Sequence, residues 1–141
     1  MTRILIPVDG SDNAIRAVQY VMDNARMFQP LELHLLNVQI PIVSGAVRMF
    51  IDAATIRRYH EEEGEAAMAR TKTLLDAGKV PYTAHLKVGH AAEAIVATAQ
   101  AHQCDLIVMG SRGLGAASGM WLGSVAAKTL HLSRIPVTVV K

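Results

Sequence analysis

The stretch MGSRGLGAASGMWLGSVAAK, Met109 to Lys128, carries five glycines and three serines between an apolar run and an alanine-rich helical pattern. Glycine permits positive φ and lets backbone come close to a ligand. Gly123-Ser124 opens a helix whose first amides have no partner within it. A phosphate placed there would accept those N–H bonds and that of the Ser124 hydroxyl. It would also meet the positive end of the helix dipole, worth about 0.3–1 kcal/mol per contact at exposed sites. Spacing alone leaves a second account equally open: a flexible turn capped by Ser124, with no ligand. Two familiar phosphate motifs are excluded. No lysine precedes Ser124, as a P-loop requires. GLGAASG, Gly113 to Gly119, is one residue too long for G-x-G-x-x-G and follows the fourth predicted strand, not the first.

A second stretch, PVDGS from Pro7 to Ser11, offers a carboxylate, Asp9, in an Asp-Gly turn. Arg112, a cation in the glycine stretch, reads equally as a phosphate partner or a solvated side chain; Lys128, one turn after Ser124, reads more simply as an exposed helix lysine than as a phosphate contact. The six histidines, His34, His60, His85, His90, His102 and His131, make no H-E-x-x-H and no Cys/His pair at metal spacing, so no protein-held metal site is expected. HEEEGE, His60 to Glu65, reads as a solvated helix face. Nothing near Cys104 marks it as a nucleophile, and local spacing gives no Ser–His–Asp set.

These groups need elements to hold them. Arg3–Val8, Leu31–Val38, Tyr82–Val88, Cys104–Met109 and Val137–Val140 read as strands. Ser11–Phe28, Ile51 to about Ala77, Ala91–His102 and Ser124 to about Leu132 read as helices, from apolar residues at steps of three and four. Gln39–Phe50 reads as a loop of unusually apolar content, packing over the core, closing over a ligand or meeting a partner. Strand–helix alternation predicts a single-domain α/β fold, a doubly wound parallel sheet with helices on both faces. ILI and LIVM are continuously apolar, as central strands should be. YTAHLKV alternates, as an edge strand can. The order 3-2-1-4-5 satisfies these patterns. It opens a crevice beyond the carboxyl ends of strands 1 and 4, where ligands bind in such sheets. Pro7–Ser11 and the glycine stretch both empty into that crevice.

The chain has 141 residues, 51% of them apolar, and a net charge of +2. That suits one domain with a real core. No basic stripe with interleaved aromatics favours nucleic acid. No apolar run reaches a membrane span of about 18 residues. The start MTRILIPVDG has no cleavable apolar segment, so a signal peptide is not expected. A single cysteine fits a reducing cytoplasm.

Gly110-x2-Gly113-x9-Gly123-Ser124 resembles the nucleotide signature G-x2-G-x9-G-[S/T] of the ATP-binding universal stress proteins. ILIPVDGSDNAIRAV, VGHAAEAIVATAQAHQCDLIVMGSRG and SRIPVTVV are similar to the rest of that family's pattern, over essentially the whole chain. The resemblance implies that Asp9 and Gly110 face a ribose. Pro7, Val8, Val38 and Met109 would line an adenine pocket, with Val38 offering backbone hydrogen bonds. Arg112, Gly113, Gly123, Ser124 and Val125 would surround the phosphates of ATP, with a divalent ion (Mg or Mn) held through them. It further implies a homodimer through the strand Val137–Lys141. Trp121, inside the nine-residue spacer, departs from the smaller aliphatic expected there, and Gly115 and Gly119 loosen the loop. The implied function is an ATP-binding stress regulator in the cytoplasm; a slow ATPase or nucleotide-transfer enzyme, or a structural dimer without nucleotide, are the alternatives.

Overall fold

The structure is a computed structural model and describes residues 1–42, 45–113 and 121–141. Five parallel strands, β1 (Thr2–Pro7), β2 (Leu31–Gln39), β3 (Thr83–Val88), β4 (Leu106–Gly110) and β5 (Val137–Val140), form one sheet. Their order is β3-β2-β1-β4-β5, as the strand patterns predict. Around it lie α1 (Asp12–Asp23), α2 (Ala25–Phe28), α3 (Gly45–Phe50), α4 (Ala53–Ala77), α5 (Ala91–Ala101) and α6 (Ser124–Leu132).

Period-two alternation divides the core into two layers. Ile4 and Ile6 of β1, with Leu33 and Leu35 of β2, pack against Ala14, Val18 and Val21 of α1 and Met68 and Leu75 of α4. Leu5, Leu36 and Ile107 point the other way, onto Ile95 and Ala99 of α5 and Ala126 of α6. This is why the middle of β1, Ile4 to Ile6, is apolar without a break: both of its faces are buried there. Truncating any one of these leucines to alanine costs about 2–5 kcal/mol.

Several boundaries differ from the sequence pattern. The first helix breaks at Asn24, whose side-chain amide donates to the Tyr20 carbonyl at 2.8 Å and whose φ of −110° leaves the helix. Part of the apolar loop is the short α3; Val43 and Ser44 lie outside the described residues. α4 starts at Ala53 because Asp52 caps it, accepting from the Thr55 N–H at 2.8 Å. The face read as solvated is only partly so. Glu61, Glu62, Glu63 and Glu65 are exposed, but His60 and Gly64 are buried against the sheet. A Cβ on Gly64 would lie 2.7 Å from Leu86 Cδ1, so glycine at that position lets α4 lie close on β3. On β3 the half-buried positions are His85 and Leu86, while Ala84 and Val88 are exposed, as one neighbour strand and sparse cover allow.

Candidate functional site

A cavity of about 360 Å³ opens at the carboxyl ends of β1 and β4, and all eleven residues singled out in the sequence line it. Pro7, Val8 and Asp9 enter from β1, Val38 from β2, and Met109 and Gly110 from β4. Arg112 and Gly113 follow β4, and Gly123, Ser124 and Val125 begin α6.

Local chemistry fixes each wall. The Val8 N–H donates to the Leu36 carbonyl at 2.8 Å, and the buried Asn37 amide donates to the Val8 carbonyl at 2.8 Å. The backbone that leads from β1 into the crevice is therefore held from both sides. Gly10 turns the chain into α1 with φ +86°, a conformation that a Cβ strains. Asp9 accepts from the Ser11 N–H at 2.9 Å, and Ser11 caps α1 through the Ala14 N–H at 3.2 Å.

On the β4 side, a Cβ at Gly110 would lie 2.7 Å from the Asn13 Cβ and 2.8 Å from its carbonyl carbon. Gly110 is needed first for the passage of α1, and it borders the cavity as a consequence. A side chain at Gly113 would run into the Asp9 carboxylate. Gly123 has φ −75° and ψ 161°, open to any residue, yet a Cβ there would sit 3.3 Å from the Ser111 carbonyl oxygen and the Arg112 Cα. The Gly123 N–H donates to that carbonyl at 2.6 Å, pinning the start of α6 to the end of β4. Residues 114–120 between them, including Gly115 and Gly119, lie outside the described residues.

The longer helices then divide into two kinds. α1 and α4 are capped by the Ser11 and Asp52 side chains, whereas neither α5 nor α6 has a side-chain cap. Helical geometry leaves the amides of Ser124, Val125 and Ala126 without an intrahelical partner, and all three residues line the cavity. α5 also starts there, with Ala91 in the lining. Two helix N-termini thus lend positive potential to one cavity. Its other side is apolar, built from Val8, Leu36, Val38, Ile95 and Met109. The cavity suits a ligand with one flat apolar end and one anionic end. Asp9 is the carboxylate in the lining and Arg112 the cation.

The sequence pattern had not marked Ser11, Ala14, Leu36, Ala91, Ile95, Ser111 and Ala126, which also line the cavity. Ser11, Ser111 and Ala126 belong to the two stretches that empty into the crevice, whereas Ala91 and Ile95 are found only through the strand order, since α5 reaches the crevice by crossing over the sheet. Lys128 is absent from the lining; it pairs with Glu93 of α5, which holds that carboxyl below its usual range. Of the described residues between Gln39 and Phe50, none lines the crevice. Pro41 and Ile42 instead border a separate cavity of about 630 Å³, with Ile56 and His60 of α4. Trp121 stands in water, 73% exposed, with the Lys141 Nζ 5.7 Å from its ring centre. Burial pushes the Cys104 thiol up to about 11, so it is no nucleophile at neutral pH. No helix among the described residues is long and apolar enough to cross a membrane.

Relatives share this plan. A universal stress protein of Thermus aquaticus is 34% identical over 138 residues, covering 98% of this chain and 97% of its own. One of Methanocaldococcus jannaschii is 30% identical over 141 residues, covering 99% and 81%. The solved structure of the hypothetical protein MJ0577 superposes with a TM-score of 0.82 at 29% identity, covering 99% of this chain and 95% of that one. More distant structures share the fold. An Arabidopsis thaliana universal stress protein family member with AMP bound has a TM-score of 0.70 at 19% identity, covering 100% and 92%. One from Archaeoglobus fulgidus, in complex with dAMP, has 0.69 at 20%, covering 100% and 98%. The model of the universal stress protein family matches residues 1–141. With strand order, length and relatives in agreement, the chain belongs to the universal stress protein family.

Proposed function

We propose that the crevice binds an adenine nucleotide, ATP foremost, and that the protein acts as a nucleotide-responsive stress regulator. The observation that carries this reading is the start of α6: a glycine cap pinned to Ser111, with uncapped amides facing the cavity beside Arg112. The AMP and dAMP found in two distant members support the adenine part. In this reading the base lies against Pro7, Val8, Val38 and Met109, and the ribose hydroxyls donate to Asp9 beside Gly110. The phosphates take the amides of Gly113, Ser124 and Val125 and the Arg112 guanidinium. A divalent ion is held through the phosphates alone. Asp9 lies on the ribose side, and no His or Lys lines the cavity among the described residues. Water activation is therefore poorly provided for, and hydrolysis falls well below the ~1–100 s⁻¹ of kinases.

Ser124→Pro tests the phosphate cradle. Proline is tolerated at the first helical position, and Gly123 already has the extended conformation that a following proline requires. The substitution removes one amide and one hydroxyl while leaving the helix intact. Calorimetry should show ATP binding weakened at least about tenfold, roughly 1.4 kcal/mol, with adenosine unaffected. Equal ATP affinity in both proteins would place the phosphates elsewhere.

The same reading includes a homodimer through β5. The carbonyls of Pro136 and Val140 both face β4, accepting from Ile107 and Ser111. By alternation, the N–H and C=O of Val137 and Val139 face outward from the sheet edge. Such an edge pairs readily with its twin. Light scattering at micromolar concentration should give a dimer, and Val139→Pro, which removes an outward donor, a monomer.

A further inference from the structure

We propose that His34, His85 and His102 form a binding site for a single transition-metal ion of the Zn²⁺ class, separate from the crevice. The expectation of no such site rested on spacing along the chain; the fold sets three distant histidines side by side. One nitrogen from each ring lies within 4.8 Å of the others. The ring centres are 5.2 Å apart for His34–His85, 5.0 Å for His34–His102 and 4.3 Å for His85–His102. Two imidazole nitrogens on one tetrahedral Zn²⁺ stand about 3.3 Å apart, from bonds of ~2.0–2.1 Å. Modest rotations of the two half-buried rings close that difference.

The hydrogen bonding selects the ligand atoms. His34 is 6% exposed on β2, and its Nε2 lies 3.0 Å from a Glu32 carboxylate oxygen. An ionised carboxylate only accepts, so His34 carries its proton on Nε2 and turns the Nδ1 lone pair inward. That nitrogen is 2.9 Å from His85 Nε2. Without metal, His85 donates its Nε2 proton to His34 Nδ1; with a cation, His85 takes its other neutral tautomer, the proton on Nδ1, and Nε2 is freed as a ligand. A carboxylate behind a histidine, fixing its tautomer and raising its basicity, is the outer support that metal-bound histidines recurrently have. Glu32 is itself held by the Arg3 Nε at 3.0 Å.

The elements that carry the ligands are firm. His34 sits on an interior strand, His85 on the adjoining β3, and His102 caps the C-terminus of α5. That helix end is the negative end of its dipole and favours a cation. The charged groups nearby are Glu32, Arg3 and Lys87, of which Lys87 and Arg3 oppose a cation. Imidazoles suit Zn²⁺, Co²⁺, Ni²⁺ and Cu²⁺ over the hard ions Mg²⁺ and Ca²⁺. His85 and His102 are only half buried, so water completes the coordination. α5 starts in the crevice at Ala91 and ends beside His102, so its 11 residues separate the two sites by about 16 Å.

The test uses the full chain, free of any histidine tag and stripped with a chelator, titrated calorimetrically with Zn²⁺ alone. One ion per chain is expected, at micromolar dissociation constant or tighter, with a rise in melting temperature of about 5 °C at saturation. Co²⁺ should give the visible absorption of a low-coordinate nitrogen site. His102→Ala and His85→Gln, both at partly exposed positions, should each weaken Zn²⁺ at least about 100-fold while the metal-free protein melts as before. His131→Ala, an exposed control on α6, should change nothing. Absence of saturable Zn²⁺ binding, or binding untouched by both substitutions, would overturn the site and leave the three rings as a packed, hydrogen-bonded cluster.

Discussion

The crevice and the histidine cluster sit at opposite ends of α5, and they make their chemistry from opposite parts of the chain. The crevice is built of backbone. Its donors are the amides at the start of α6, and its glycines are there because a Cβ would strike Asn13, Asp9 or the Ser111 carbonyl. The cluster is built of side chains, three imidazoles and a carboxylate projecting from two strands and a helix end. The difference is one of tolerance. A backbone site fails when a side chain is added, because the elements around it are already in contact. A side-chain site fails when one is removed, and the fold beneath it stands. Substitution should therefore separate the two: additions harm the crevice, and the fold as well where the new Cβ strikes backbone hardest, and deletions harm the cluster alone.

Gly110→Val should produce the largest effect. The new Cβ would fall 2.7 Å from the Asn13 Cβ and 2.8 Å from its carbonyl carbon, so backbone of α1 has to move off β4. Overpacking of this kind costs about 1–3 kcal/mol or more. For a chain of this length that is a loss of roughly 5 °C or more in melting temperature. Gly89→Ala is the matched control, since nothing lies within 4 Å of its Cβ position. Similar melting of the two variants would break the comparison, because it would mean that α1 and β4 can separate freely.

Gly123 divides the steric from the ligand effect. A Cβ there meets the Ser111 carbonyl and the Arg112 Cα at 3.3 Å, close enough that the neighbours shift by a few tenths of an ångström. Gly123→Ala should therefore melt near the parent yet bind ATP more weakly. Gly123→Val should weaken ATP at least about tenfold. Neither should alter Zn²⁺ binding at the histidines. Loss of Zn²⁺ affinity in Gly123→Val would show that α5 carries strain from one site to the other.

The same contrast explains what could be read in advance. The strand order followed from the continuous apolarity of ILI and LIVM, since strands covered on both faces have nowhere to place a polar residue. The crevice was legible because a site made of backbone leaves glycines at fixed spacing, Gly110, Gly113 and Gly123, and the family signature rests on that spacing. The histidine cluster was not, since His34 and His85 are 51 residues apart and meet only through the β2–β3 register. Gly64 was misread for a related reason. A glycine among glutamates looks like a weak point on a solvated face, and its contact with Leu86 appears only when α4 is laid on β3. The break at Asn24 lay within reach, as asparagine competes for helix carbonyls. Apolar periodicity, continuing through Ala25 and Phe28, masked it.

The smallest effect is spectroscopic, and it separates the two sites without substitution. Trp121, the single tryptophan, lies two residues before Gly123, whose N–H is tied to Ser111. Its ring is 73% exposed, with the Lys141 ammonium 5.7 Å from the ring centre, so its emission in the free protein should be that of an indole in water. Phosphates held at the Gly113 and Ser124 amides would change the surroundings of the indole between them in the chain, and its emission should shift. Adenosine, lacking phosphates, should move it less than ATP. Zn²⁺ binds at the far end of α5 from the crevice and should leave the emission unchanged. Three titrations of one stripped sample, with ATP, adenosine and Zn²⁺, give the comparison directly. Identical emission with and without saturating ATP would mean that the cradle is already formed in the free protein. An equal shift with Zn²⁺ would mean that the two ends of α5 are not independent.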